Sequence, residues 1–237
     1  AIANHFGTKR PLETLRLSSL RTSLAKGKNG KQLGPKTFSR RLTIARSVFR
    51  FRGIDAKQEL KPPPQKALRQ AQWEAGEKWF SNPADVRKLV KVAEGDTKAL
   101  VLLGISAAFG PADCRDVPRS AFTDEFVRFP RPRTAVERTA WRWPEMTDDL
   151  LPPWRENWDR FKLARAFTEL CKAAGVTNHG FYSLRRTVKT VLSAGPVSQH
   201  VINRIMGHDD KSMAAIYRQR THGIKAAGEW LRGWYLG

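Results

Sequence analysis

The C-terminal part of the chain carries an arginine, a glycine–histidine pair and a tyrosine at fixed intervals. Arg185 comes first, Gly207-His208 follows, and Tyr217 lies nine residues after His208. These residues lie on or beside three separate predicted helices, which have to pack together before the side chains can come into contact. The spacing therefore constrains the fold strongly. Together they can place a guanidinium, an imidazole and a phenol around one phosphodiester. Apolar periodicity predicts the helices of this region over 183–194, 197–206 and 212–220.

The charge of the chain points to a polyanionic partner. Lysine and arginine number 43 against 22 acidic residues, which gives a net charge of +21. The charge is uneven, because residues 1–70 hold 17 basic and 3 acidic side chains. Apolar residues are interleaved with this basic segment, so we expect a folded basic element rather than a floppy arm.

Cysteine and histidine usage narrows the class of protein further. Cys114 and Cys171 form no CxxC pair and no disulfide framework, which favours a reducing cytosol. The five histidines show no metal-ligand spacing, and there is no apolar run of 18 residues. We therefore expect no cofactor, no metal, no membrane partner and a cytoplasmic, nucleoid-associated location.

A run of three prolines divides the chain. Residues 1–58 are predicted to form a helical basic domain, with helices over 11–25 and 35–52. The chain opens in mid-sequence at Ala1, which leaves room for a longer first domain. Residues 59–72, which include Lys61-Pro-Pro-Pro64, are predicted to be an exposed basic linker.

Residues 73–237 are predicted to form a second domain that ends in a tail. Helices are expected over 83–94, 97–109 and 158–174. The segments 126–129 and 136–143 flank a proline-stiffened turn and predict a β-hairpin. The fold class is therefore mainly α with a small antiparallel β-sheet.

The second predicted helix of the basic domain has one apolar stripe. Pro35 suits its first turn and Gly53 suits the position just past its end. Basic side chains occupy the other faces, which is typical either of a solvated helix or of a helix laid along DNA phosphates. We favour DNA contact for this set: Lys36, Arg40, Arg41, Arg46, Arg50 and Arg52.

From about residue 11 to 232 the chain resembles the tyrosine recombinases, the phage-integrase family, with its specific motifs in 100–217. The resemblance implies a core-binding and a catalytic domain that form a two-domain clamp on duplex DNA. It implies Tyr217 as nucleophile, while Arg185 and His208 bind the scissile phosphate. Arg186 becomes a second phosphate contact, and Tyr182 occupies the place of the family's first histidine.

Two positions depart from the family pattern. Gly110 falls on the family's first arginine, although Asp113 matches the acid that follows it. Arg133 replaces the catalytic lysine at the hairpin tip, and a guanidinium is a poor proton donor. Arg115 is a candidate replacement for the missing arginine, with a salt bridge to Asp113 or Asp116 as its alternative role.

The resemblance predicts a site-specific DNA recombinase or integrase that cleaves and rejoins strands through a 3′-phosphotyrosine bond. The alternatives are a catalytically impaired DNA-binding relative, a type IB topoisomerase, and an unrelated basic nucleic-acid-binding module. The glycines of the 228–237 tail predict a short, hinged segment. We expect it to dock on a neighbouring subunit in a homo-oligomer on DNA, unless it folds back on its own domain.

Overall fold

The structure is a computed structural model that describes residues 16–27, 29–74, 76, 78–132, 134–154, 157–208 and 223–237. These residues are mainly helical with one two-stranded antiparallel sheet, which confirms the predicted secondary-structure class. The chain divides into two compact units, Ala1–Glu77 and Lys78–Gly237. Within the described ranges, no helix has both the length and the apolar character needed to span a bilayer.

The first unit is a small helical cluster around its own core. Helix α1 spans Leu17–Leu24 and helix α2 spans Pro35–Phe51. Pro35 begins α2 and Gly53, at φ +74°, follows its last turn, as predicted. The core contains only apolar side chains: Leu20, Leu24, Leu42, Ala45, Phe49, Ala56 and Leu60.

Part of the predicted linker is a helix. Helix α3 spans Gln65–Glu74 and packs against α2. The proline run ends at Pro64, so α3 begins just after it, and its Lys, Ala, Leu and Arg residues favour a helix. The structure therefore assigns helical structure to residues 65–72, which we had predicted as part of an exposed basic linker.

Among its described residues, the second unit contains seven further α-helices, the short 3₁₀ helices Arg119–Ala121 and Asp148–Leu150, and the sheet. Five predicted helices and the hairpin are confirmed with small shifts in their ends, and the predicted helix over 212–220 lies outside the described residues. The elements are α4 Pro83–Val92, α5 Gly95–Ser106, α6 Pro111–Asp116, β1 Phe126–Arg128, β2 Thr139–Trp141, α7 Arg160–Ala173, α8 Tyr182–Ala194, α9 Gln199–Met206 and α10 Ile224–Leu236.

Helix α5 forms the centre of this unit. Its sequence is apolar on every side, and residues 99–106 are all buried. Helix α8 packs directly against it at Gly104, where an added Cβ would lie 2.6 Å from Leu184 Cδ1. This close approach places the first turn of α8, with Tyr182 and Arg185, beside the C-terminal end of α5.

The hairpin pairs its strands in an antiparallel register. Phe126 lies opposite Trp141 and Arg128 opposite Thr139. Backbone hydrogen bonds continue the pairing toward the tip, since Arg131 N–H donates to Val136 O at 2.9 Å. The tip is therefore held in register beyond the strands themselves.

The C-terminal tail is one continuous helix packed on its own unit. Leu231 and Tyr235 of α10 are buried, and Arg87 Nη1 donates to Tyr235 O at 2.6 Å. Gly228 does not interrupt the helix, because it allows close packing: a Cβ there would lie 2.7 Å from Trp141 Cβ. The hinged tail that we predicted is thus wrong in its local structure, and most of its apolar surface is covered in the same chain.

Candidate active site

The structure brings Arg185 and His208 together, as the sequence predicts. Arg185 lies in the first turn of α8 and is 2% exposed, whereas His208 is exposed just after α9. Their nearest nitrogens, Arg185 Nη2 and His208 Nε2, are 3.5 Å apart. Gly207 ends α9 at φ +59°, a left-handed conformation that favours glycine, and so turns the chain to present His208.

Two carbonyl groups hold the Arg185 guanidinium in place. Nη1 donates to Ala108 O and Nη2 donates to Met206 O, each at 2.5 Å. Ala108 follows α5 at φ +55°, which costs an alanine about 1–2 kcal/mol. Such local strain is often found at functional sites. These bonds connect the first turn of α8 to the C-terminal ends of α5 and α9.

A buried ion pair supports this point from the hairpin side. Arg138 is 0% exposed, and its Nη2 lies 2.9 Å from Asp113 Oδ1. Asp113 Oδ2 also accepts Gly110 N–H at 2.7 Å. The Arg138 guanidinium lies 4.1 Å from the centre of the Phe109 ring. Asp113 thus has a structural partner that the sequence analysis missed. The signal was that Arg138 alternates with Val136 and Ala140 along a predicted strand, which puts it on their apolar face.

Arg131, at the hairpin tip, is a second residue that the sequence analysis missed. Its Nη1 donates to Gly207 O at 3.4 Å, and its Nε is buried with no hydrogen-bond acceptor among the described residues. We had assigned the basic group of the tip to Arg133, which lies outside the described residues. The signal was present in Arg131-Pro-Arg133, but the sequence cannot say which arginine turns toward His208.

The site concentrates positive charge. Burial lowers the pKa of Arg185, and the nearby Arg131 lowers it further. Burial likewise lowers the pKa of His208 below its ordinary value, followed by the charges of Arg185 and Arg131. His208 is therefore held in its neutral form near neutral pH. An anion placed here would relieve the repulsion among these groups.

Other predicted site residues fall in different places. Tyr182 lies at the start of α8, 50% exposed, with the Arg186 guanidinium 5.9 Å from its ring centre. Arg115 is paired with Asp116 at 2.5 and 2.7 Å, so its side chain takes the alternative salt-bridge role. The nucleophile candidate, Tyr217, lies outside the described residues.

The predicted DNA-binding residues differ in their exposure and in their contacts. Lys36, Arg40 and Arg50 are exposed on the face opposite the core. Arg41 instead donates to Lys26 O at 2.7 Å and so links α2 to the end of α1. The remaining predicted contacts are the partly exposed Arg46, the exposed Arg52 just after α2, and the exposed Arg186 on α8.

Solved phage integrases share this fold. A lambda integrase tetramer bound to a Holliday junction matches 93% of this chain and 69% of its own, with a TM-score of 0.61 and 16% identity. A lambda integrase dimer bound to a COC′ core site matches over 93% of this chain and 85% of its own chain, with a TM-score of 0.61 and 15% identity. The integrase of mycobacterium phage Brujita matches 92% and 78%, with a TM-score of 0.54 and 16% identity.

These similarities define the fold of the chain as that of the tyrosine recombinases. At this level of identity they define the fold alone. No protein-family model and no curated protein sequence matches the chain. The predicted resemblance is therefore confirmed by structure.

The described site is suited to bind an anion. It offers guanidinium and imidazole donors, and the Asp113 carboxylate near them already pairs with Arg138. The described residues contain no group of three or more His, Cys, Asp or Glu side chains arranged to hold a metal ion.

Proposed function

We propose that this chain is a tyrosine-type site-specific DNA recombinase or integrase. Its substrate is duplex DNA, held by the two units as a two-domain clamp. The Tyr217 phenol attacks the scissile phosphorus, the bond to the 5′ oxygen breaks, and a 3′-phosphotyrosine bond forms. The reverse attack by a 5′ hydroxyl rejoins the strands without an external energy source. Such a protein acts in the cytoplasm, at the nucleoid.

The observation that carries this proposal is the Arg185–His208 pair within a recombinase fold. A fixed guanidinium can bind two non-bridging phosphate oxygens and neutralise charge in the pentacoordinate transition state. A neutral His208 can donate a hydrogen bond to the same phosphate without a further charge to desolvate. The carbonyls of Ala108 and Met206 orient Arg185 before the substrate binds.

The basic face of α2 supports a role for the first unit in DNA binding. Lys36, Arg40 and Arg50 share the exposed face, and none of them has an acidic partner among the described residues. Lysine and arginine on one helix face can neutralise several phosphates along a groove. Arg186, exposed on α8, adds a phosphate contact near the site.

Assembly on DNA through the tail remains part of the proposal in a narrower form. Trp230 and Leu236 of α10 are 45% and 50% exposed. Their exposed side is the part of the tail that a neighbouring subunit can contact while α10 stays packed on its own unit. The solved lambda integrase structures are a tetramer bound to a Holliday junction and a dimer bound to a COC′ core site.

A second candidate function is DNA binding with impaired cleavage. It is favoured by Gly110, which has no side chain where the family has an arginine. Losing one preorganised donor costs on the order of 10²–10³ in rate if nothing replaces it. The fold and the DNA-binding surfaces would be the same for both candidates.

Covalent trapping separates the two candidates. The full chain is incubated with a library of randomised nicked duplexes, in which the short cleaved strand diffuses away and leaves the adduct trapped. We expect a protein–DNA adduct that survives denaturing detergent, and sequencing of its DNA identifies the target site. Tyr217→Phe removes one hydroxyl, so it should abolish the adduct and leave the affinity for duplex DNA nearly unchanged.

Two tyrosine variants serve as matched controls. Tyr182→Phe and Tyr235→Phe should still form the adduct. Trapping by the Tyr217→Phe protein would end the assignment of the nucleophile, and no trapping by any version would favour the impaired relative. Relaxation of supercoiled plasmid without a second site would point to a topoisomerase instead.

A further inference from the structure

Gly110 gives the site no side-chain donor, although the backbone conformation there would allow a side chain. Gly110 has φ −98° and ψ 175°, an extended conformation that any residue adopts. An added Cβ would lie 3.3 Å from Asp113 Oδ2 and 3.9 Å from Tyr182 Cε2. The position therefore borders the candidate site, but it contributes only a backbone N–H, which Asp113 accepts.

We propose that Arg131 of the hairpin tip supplies the second guanidinium of the phosphate site, in the role that a side chain at Gly110 cannot fill. Arg131 and Arg185 then bind the same anion from two sides, with His208 between them. Only the identification of that anion as a DNA phosphodiester rests on the proposed function. Anion binding by the Arg131–Arg185–His208 group can be tested without cleavage.

The hairpin holds the Arg131 backbone rigidly. Its N–H donates to Val136 O at 2.9 Å, and its carbonyl accepts N–H groups from Thr134 and Ala135 at 3.1 and 2.8 Å. These three bonds close the turn in both directions. The turn therefore fixes the point from which the Arg131 side chain extends, so that binding an anion has to order only the side chain.

The path of the Arg131 side chain depends on the glycine of the Gly207-His208 turn. A Cβ at Gly207 would lie 2.5 Å from Arg131 Cδ and 2.7 Å from its Cγ. Gly207 therefore serves two purposes, since it adopts φ +59° and leaves space for Arg131 to pass. Arg131 reaches the loop that carries His208 because Gly207, which it passes, has no side chain.

The guanidinium at the end of this path is not satisfied by the protein. Its contact with Gly207 O is long, at 3.4 Å, and its buried Nε has no acceptor among the described residues. A buried donor without an acceptor is unfavourable, because it has lost its hydrogen bonds to water without replacing them. The arrangement is therefore costly without a ligand and becomes satisfied when an anion binds.

The neighbouring acid does not neutralise Arg131. Asp113 is held by Arg138 and by Gly110 N–H, and no ion pair of Arg131 occurs among the described residues. The Arg138 guanidinium is engaged by the Asp113 carboxylate, so we assign it the role of positioning Asp113. Of the hairpin arginines in contact with this site, Arg131 is the partly exposed one that can reach substrate.

Titration with inorganic phosphate tests the inference on the full chain. The ring nitrogen signals of the five histidines are followed by NMR, and a His208→Asn variant assigns the His208 signals. We expect saturable shifts of the His208 signals in the unaltered protein. Arg131→Ala should weaken phosphate binding by about tenfold or more, because a charged hydrogen bond is lost.

Three further variants separate binding from structure. Arg128→Ala removes another arginine of the same hairpin and should leave phosphate binding unchanged. Arg131→Lys should give an intermediate affinity, since it keeps the charge and loses the fork. Gly110→Arg added to Arg131→Ala should restore binding at least in part, which a purely structural role of Arg131 would not allow.

Two results would overturn the inference: wild-type affinity in a folded Arg131→Ala protein, or no response of His208 to phosphate. The outcome is distinct from that of the proposed function. A Tyr217-dependent adduct with phosphate binding independent of Arg131 would leave the recombinase and remove the inference. Arg131-dependent phosphate binding without any adduct would do the reverse.

Discussion

Replacing Arg138 by methionine should destabilise the second unit strongly. The residue is 0% exposed, and its removal leaves the Asp113 carboxylate buried without its countercharge. Removing one partner of a buried ion pair typically costs about 3–5 kcal/mol. Asp113 keeps one hydrogen bond, from Gly110 N–H, so the lower half of this range is the better expectation.

The assay is thermal and urea unfolding followed by near-ultraviolet circular dichroism, which reports the packed aromatic side chains. For a unit of this size, each kcal/mol shifts the midpoint by about 2–4 °C. Arg138→Met, at the lower half of the free-energy range, should therefore lower the midpoint by about 6–16 °C. Asp113→Asn should cost a similar amount, and the double variant should lose less than the sum, by about 1–3 kcal/mol.

The matched control is Arg115→Met. Arg115 also pairs with an aspartate, but the pair with Asp116 lies at the surface. Its removal should leave the midpoint unchanged, because exposed ion pairs contribute little. Additive losses in the Arg138–Asp113 cycle, or equal effects of Arg138→Met and Arg115→Met, would refute the reasoning that the buried pair supports the site.

Two more predictions concern DNA contact and the tail. Replacing Lys36, Arg40 and Arg50 by alanine should weaken duplex binding and reduce the slope of log K against log salt by about 0.9 for each lost phosphate contact; an unchanged slope would mean that this face of α2 points away from DNA. Leu231→Ala should cost the free monomer about 2–5 kcal/mol, since Leu231 is 1% exposed, and Trp230→Ala should cost far less. Equal stability of the two tail variants in urea would show that α10 does not belong to its own core.

The sequence predicted elements whose signals are local. The apolar stripe and the proline–glycine ends of α2 placed that helix at 35–52, and the structure has Pro35–Phe51. The hairpin followed from two apolar segments around a proline-rich turn. The meeting of Arg185 and His208 was predictable from the resemblance, because a shared fold positions equivalent helices in the same way.

The missed residues depend on contacts distant in sequence. Arg138 and Asp113 are 25 positions apart, and their pairing follows from the packing of the hairpin against α6. Arg131 and Gly207 are 76 positions apart. Neither distance leaves a periodic trace. The tail was misjudged for a related reason, since Gly228 reads as a helix breaker until Trp141 is seen against it.

The chemistry of the proposed site favours a phosphate-binding donor that is supplied by another element of the fold over the complete loss of that donor. Phosphoryl transfer requires charge neutralisation at fixed positions around the phosphorus, but it does not specify which element of the fold supplies each group. Here the helix that would carry the arginine begins at Gly110, and the hairpin instead brings Arg131 to the glycine beside His208. The acid that remains at Asp113 is neutralised from the same hairpin by Arg138. In the proposed site, one hairpin therefore supplies two arginines: Arg131 as the donor and Arg138 as the countercharge of Asp113. A hairpin variant that keeps its fold but shortens the tip, and so removes Arg131 while leaving Arg138 in place, should impair phosphate binding in the His208 titration without destabilising the end of α5 in urea. Loss of both together would show that the two arginines do not act separately.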